Sequence, residues 1–106
     1  MVTRGEIWAV ALDPTVGREI KKTRPALVVS PDELNESLET VIVLPMTTAA
    51  SPAPFRVSVL FSGKTGLILP DQIRAVDRQR LVRRIGRVSG KTLVTTLRLL
   101  QEMFAE

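Results

Sequence analysis

Apolar residues along this chain fall into short blocks, most of them with the spacing of strands. Residues 6–12 and 25–29 form two such blocks, and Trp8 gives the first a large anchor. Between them, 13–23 carries Pro14, Gly17 and the charged Arg18, Glu19, Lys21 and Lys22, and reads as a long loop. The block 40–46 is apolar almost without a break, which predicts a central strand covered on both faces. Residues 47–54 are mostly small, with two prolines, and read as a loop. Residues 55–61 alternate, which predicts Phe55, Val57, Val59 and Phe61 facing inward and Arg56, Ser58 and Leu60 outward. A turn at 62–66 follows. Short strands are predicted at 67–69 and 73–76, interrupted at Pro70, and another at 81–88 with Gly86 a candidate bulge.

Two helices complete the pattern. Ser30-Pro31-Asp32-Glu33 has the form of a helix start, with Ser30 as cap, Pro31 at the first helical position and Glu33 completing a capping box. That helix is short and ends near Glu36. The last element is a helix capped by Ser89. Leu93, Leu97, Leu100 and Phe104 recur at i, i+4, i+7 and i+11 and make one apolar face, widened by Val94 and Met103. Many short strands with one terminal helix predict a mainly β protein. Its expected form is a small, strongly curved antiparallel barrel, with a short helix after the second strand and a C-terminal amphipathic helix.

Length sets the scale: 106 residues make one domain, 1–106. No apolar run approaches the roughly 18 residues needed to span a bilayer, and the first residues lack an apolar signal core. No membrane association is therefore expected, and a cytoplasmic location is. His and Cys are both absent. That excludes a Ser-His-Asp triad, a His-based acid–base nuclease, a thiolate site and any His or Cys zinc site. No metal or other cofactor is expected, because the carboxylates do not converge in the sequence.

The net charge of +4 is unevenly placed. Between residues 74 and 91 stand Arg74, Arg78, Arg80, Arg83, Arg84, Arg87 and Lys91, against the single acid Asp77. Such a stripe suits a polyanion, nucleic acid above all. A solvated, Arg-rich strand and loop accounts for the charge equally well. Gly63-Lys64-Thr65 and Gly90-Lys91-Thr92 resemble the end of a phosphate-binding loop. That motif needs a glycine five residues before its Gly-Lys, where this chain has Ser58 and Ile85, so both are rejected.

The candidate chemistry sits at strand ends. Lys21-Lys22-Thr23-Arg24-Pro25 leads into one apolar run, and Pro45-Met46-Thr47-Thr48 closes another. One offers a fixed guanidinium, the other a pair of hydroxyls, and a rigid strand end holds such groups to the tolerance chemistry needs. Together they suggest a phosphate site. Each also has a plainer reading. Arg24 alone reads as a surface ion-pair partner, Thr47-Thr48 as a self-bonded turn, Asp71 as a turn or ion-pair residue, and Glu19 as a solvated charge.

With Arg4-Gly5-Glu6-Ile7-Trp8, Asp13-Pro14-Thr15-Val16-Gly17-Arg18-Glu19, Thr23 to Pro31, Pro45-Met46-Thr47-Thr48 and Asp71-Gln72-Ile73-Arg74 in this order, the chain resembles the MazF/PemK toxins of type II toxin–antitoxin systems. The resemblance implies an SH3-like barrel of the CcdB/MazF kind, a homodimer, and an acidic MazE-like antitoxin as partner. It implies sequence-specific, metal-independent cleavage of single-stranded RNA, leaving 2′,3′-cyclic phosphate and 5′-hydroxyl ends. Arg24 and Thr47 match the family's catalytic arginine and threonine. Glu19 falls where some members carry an acid near the substrate, and Asp71 matches an aspartate given an acid–base role in the PemK-like branch. That branch places an arginine two residues earlier and uses a histidine. This chain has Leu69 there and no His, which favours Arg24 and Thr47. Arg18, Lys21, Lys22, Thr48, Gln72, Arg74 and Arg80 are expected to contact RNA. A non-catalytic CcdB-like toxin that binds a protein such as DNA gyrase, and a plain RNA-binding barrel, are the alternatives. A pure binder has no need of Arg24 with Thr47, and few aromatics are available for stacking bases.

Overall fold

The apolar run predicted to be central occupies the middle of the sheet as strand β3, Thr40–Thr47. The structure, a computed structural model, describes residues 1–12 and 22–106. On one edge β3 pairs antiparallel with β2, Thr23–Val28, through Ala26↔Pro45, Leu27↔Leu44 and Val28↔Val43. On the other edge two strands share it in succession. β5, Lys64–Ile68, takes the last residues of β3 through Met46↔Ile68 and Thr47↔Leu67, while β6, Arg74–Asp77, takes 40–43. Beyond β2 lie β1, Glu6–Ala11, and then β7, Leu81–Arg87; β4, Val57–Phe61, borders β5. Among the described residues the result is a curled, seven-stranded antiparallel sheet, curved as the sequence predicts.

Both faces of β3 are covered, as its unbroken apolar run requires. Val41 and Val43 join Val10, Leu12, Ala26 and Val28 in one cluster, closed by Trp8 and Leu81. Leu44 and Met46 join Ile7, Leu27, Val57 and Ile68 in the other, covered by Leu93, Leu97 and Leu100. Those leucines belong to α2, Gly90–Met103. Its expected cap is present: the Ser89 hydroxyl accepts the Thr92 amide at 3.1 Å. The apolar face stops earlier than the periodicity suggests, because Phe104 lies at the helix end and is 69% exposed.

Other expectations need correction. Ser30 does not cap the first helix. Helix α1, Asp32–Ser37, begins after Pro31 with no side-chain cap. The buried Ser30 hydroxyl instead donates to Asn35 Oδ1 at 2.5 Å and accepts the Ile42 amide at 3.0 Å. A buried backbone donor needs that acceptor more than an exposed helix end does. Phe55 is not an inward strand residue. Its φ is +66°, it is exposed, and the strand begins at Val57. The turn is narrower than 62–66. Ser62 and Gly63 both have positive φ and form a two-residue hairpin, so Lys64 already pairs with Phe61. Strand β2 starts before Pro25, which its ladder tolerates because pairing with β3 begins only at Ala26. The irregularity expected near Gly86 is real, since Ile7↔Gly86 is followed by Trp8↔Arg84 and Ile85 is left over.

Candidate active site

Arg24 and Thr47 reach one cleft from neighbouring strands. Arg24 stands on β2 and Thr47 ends β3, each two residues beyond the terminal pair Ala26↔Pro45, and both line a cleft of about 420 Å³. That volume lies within the range of ligand sites. Thr48 joins them from the start of the following loop, and Phe61, Ser62 and Lys64 from the β4–β5 hairpin. Pro25, Met46, Val59 and Leu67 supply apolar surface around the polar groups.

The Thr47 hydroxyl is held in place. Its Oγ1 accepts the Ala49 amide at 3.1 Å, the self-bonded turn that this residue type favours. Because the oxygen acts there as acceptor, its proton remains available to a ligand. Arg24 is exposed, and among the described residues no hydrogen bond or ion pair ties its guanidinium. The cleft therefore offers a planar cation with several donors beside a fixed hydroxyl donor. That combination suits a tetrahedral oxyanion, phosphate in particular.

The remaining candidates lie elsewhere. Asp71 does not line the cleft. It faces Arg56, whose Nε and Nη2 donate to its two carboxylate oxygens at 3.2 and 3.0 Å. The hydrogen bonds from Arg56 hold its carboxyl below the usual range, against a smaller upward push from burial. Gln72, Arg74 and Arg80 are also outside the lining. Arg74 and Arg80 donate to the carbonyls of Leu12 and Ala11 at 3.1 and 3.0 Å, at the end of β1. Lys22 is exposed, has a φ of +65° and accepts the Leu12 amide on its carbonyl. Arg18, Glu19 and Lys21 lie outside the described residues.

The basic stripe is thus less open than its sequence implies. Arg78 donates to the carbonyls of Asn35 and Leu38, and Arg87 to that of Arg4. Arg84 pairs with the buried Glu6 at 2.8 Å. What the sequence reading missed is the hairpin wall. Lys64 stood only in a rejected motif, although a Ser-Gly pair between alternating apolar residues was the signal for a tight hairpin. Among the described residues, no three carboxylates converge as a metal site would need, and no helix is long and apolar enough to cross a membrane.

A curled antiparallel sheet covered by a terminal helix, with a cleft lined by Arg24 and Lys64 at the ends of its strands, describes a half-barrel protein. The chain belongs to the PemK-like, MazF-like toxins of type II toxin–antitoxin systems, whose family model matches residues 3–104. It is 41% identical to Endoribonuclease MazF9 of Mycobacterium tuberculosis, over 88% of this chain and 87% of that one. It is 42% identical to Endoribonuclease PemK of Escherichia coli, over 80% of this chain and 68% of that protein. The fold matches the crystal structure of MazF (Form-I) from Deinococcus radiodurans with a TM-score of 0.87, covering 99% and 97% of the two chains at 26% identity. An endoribonuclease from a mycobacterial species, solved in complex with its cognate antitoxin, shares the fold at a TM-score of 0.80 and 22% identity, over 96% and 93% of the chains.

Proposed function

We propose that this protein is a sequence-specific endoribonuclease toxin that cuts single-stranded RNA in the cleft between Arg24 and Thr47. The observation that carries the reading is the meeting of these two side chains in one cleft. Family membership and the endoribonuclease relatives support it.

Chemistry follows from the groups available. The substrate's 2′-oxygen attacks the adjacent phosphorus and forms the cyclic O2′–P bond. The P–O5′ bond breaks on the opposite side. The 2′-hydroxyl gives up its proton, and the departing 5′-oxygen gains one to become a hydroxyl. Arg24 neutralises charge growing on the non-bridging oxygens and fixes the phosphate in two places. Its very high pKa makes it a poor proton donor, so its role is electrostatic. Thr47 donates one hydrogen bond to a phosphate oxygen. Glu19 is the carboxylate proposed to receive the 2′-hydroxyl proton. No step uses a metal. Thr48, Lys22, Arg18 and Lys21 are proposed to hold flanking nucleotides, with Gln72, Arg74 and Arg80 further along the strand.

The protein is proposed to work in the cytoplasm as a homodimer, restrained by an acidic antitoxin that competes with RNA for the cleft. Charge complementarity supports such a partner. The deciding experiment is incubation of purified protein with a long RNA and mapping of the ends. Cuts at one recurring motif with cyclic phosphate and 5′-hydroxyl ends are expected. RNA left intact would overturn the reading. Light scattering of the active protein checks the dimer, which a monomeric mass would refute.

A further inference from the structure

Asp71 and Arg56 are 15 positions apart in sequence and belong to different elements. Asp71 sits on the short 3-10 turn Pro70–Gln72 between β5 and β6. That turn is firmly anchored. Pro70 is buried, and the Leu69 amide donates to the Pro45 carbonyl at 2.9 Å, two residues before Thr47 on β3. Arg56 ends the loop 48–56, which starts next to Thr47 and contributes Thr48 and Ala49 to the cleft.

The Arg56 guanidinium is divided between two tasks. Nε and Nη2 grip the two oxygens of Asp71 in a fork, at 3.2 and 3.0 Å. Nη1 turns the other way and donates to the Ser51 carbonyl at 3.0 Å, in the body of the loop. The side chain thus connects the anchored turn to the middle of loop 48–56. A two-point Arg–carboxylate contact fixes direction as well as distance, and Arg56 is only 20% exposed.

We propose that Asp71 is a positioning residue: through Arg56 it straps loop 48–56 beside the cleft and so sets where the RNA strand lies, without moving a proton. The inference rests on the RNA-cleaving reading above and assigns one of its residues a different task. Both Asp71 oxygens are already engaged by Arg56, which leaves the carboxylate occupied as an acceptor, and the downward pull of Arg56 on its carboxyl rules it out as a proton donor at neutral pH.

The test compares Asp71→Asn, Arg56→Gln, the double variant, and the charge swap Asp71→Arg with Arg56→Asp. KM, kcat and the pH profile of kcat are read on one oligonucleotide, with chymotryptic cutting after Phe55 as a direct readout of the loop. Each single variant is expected to raise KM by roughly tenfold, the double variant no more than either, as for two halves of one coupled contact. The pH profile of kcat should keep its shape, the swap should recover part of the KM, and cutting after Phe55 should accelerate in both singles. A large fall of kcat in Asp71→Asn alone, with loss of one limb of the pH profile, would make Asp71 an acid–base group and overturn the proposal. So would single variants that match the wild type in KM and in proteolysis. If the wild-type protein cuts no RNA, the functional reading fails. The strap itself is then still judged by the proteolysis of the variants.

Discussion

Gly66 is packed against the backbone of Thr47: a Cβ at Gly66 would lie 2.9 Å from the Thr47 carbonyl oxygen and 3.5 Å from the Thr48 methyl. Real side chains do not approach backbone that closely. Strand β5 can pass beside the end of β3, with Leu67 opposite Thr47, only because this position has no side chain. The glycine therefore determines where the Thr47 hydroxyl and the Thr48 side chain stand, although it carries no chemistry.

Gly66→Ala is accordingly expected to displace Thr47 by a few tenths of an ångström or more and to slow cleavage by about 10- to 100-fold, since small misplacements of reacting groups are costly. The fold should survive, because the contact lies at a sheet end and not in either apolar cluster. Cleavage rate and thermal midpoint measured on the same sample check this. A variant as fast as the wild type would mean that the Thr47 position is not set here.

Arg24 and Thr47 are expected to differ in weight. Arg24→Ala removes charge stabilisation worth about 3–4 kcal/mol in the transition state, or roughly 10²–10³ in rate. Arg24→Lys should recover little, because an ammonium cannot grip two oxygens. Thr47→Ala should cost less, and Thr47→Ser should keep most of the activity, since Ser retains the hydroxyl that accepts the Ala49 amide. Circular dichroism shows whether each variant is folded. Full activity in a folded Arg24→Ala protein would remove Arg24 from the mechanism.

Some of this was legible in the sequence for definite physical reasons. The near-continuous apolar run 40–46 marked β3 as central, and it has neighbours on both edges and a cluster on each face. Arg24 and Thr47 could be singled out because each stands at the end of an apolar run, and the two ends line one cleft. Asp71 could not be placed, because its partner Arg56 is remote in sequence and its strap exists only in the folded chain. The basic run misled in the same way. Counting charges cannot show that Arg74, Arg78, Arg80 and Arg87 point donors at backbone carbonyls. Ser30 carried a good capping pattern, but the unpaired Ile42 amide claimed its hydroxyl.

Glu6 predicts how stability responds to acid. Its side chain is buried, and burial alone would raise its pKa. That push is outweighed by the Thr3 amide at 2.8 Å, the Trp8 indole at 3.1 Å and Arg84 at 2.8 Å, and the net shift is downward. The unfolded chain therefore binds this proton more readily than the folded one. The stabilisation is complete above the ordinary carboxylate range and is lost as pH falls through the lowered value. Glu6→Gln should destabilise at pH 7 by about 1–3 kcal/mol, the cost of disturbing a buried, charged hydrogen-bond cluster. The difference from wild type should shrink toward pH 3. Urea unfolding across that range is the measurement, and a gap that widens on acidification would contradict the assignment.

Metal and nucleophile can be tested together. Without His or Cys in the chain, and with no cluster of carboxylates among the described residues, the proposed reaction needs the substrate's own 2′-hydroxyl, Arg24, Thr47, an acceptor for the 2′-hydroxyl proton and a donor for the 5′-oxygen, and no metal. Cleavage should therefore proceed at full rate in excess EDTA. A single 2′-deoxy substitution on the nucleotide 5′ to the scissile phosphate should stop it. Binding should survive that substitution, because the phosphates that dominate affinity are unchanged. One oligonucleotide, with and without the substitution and with and without EDTA, gives all four conditions. Cutting of the 2′-deoxy strand, or cutting that EDTA abolishes, would mean that water or a metal-bound hydroxide attacks the phosphorus. Arg24 and Thr47 would then serve binding alone.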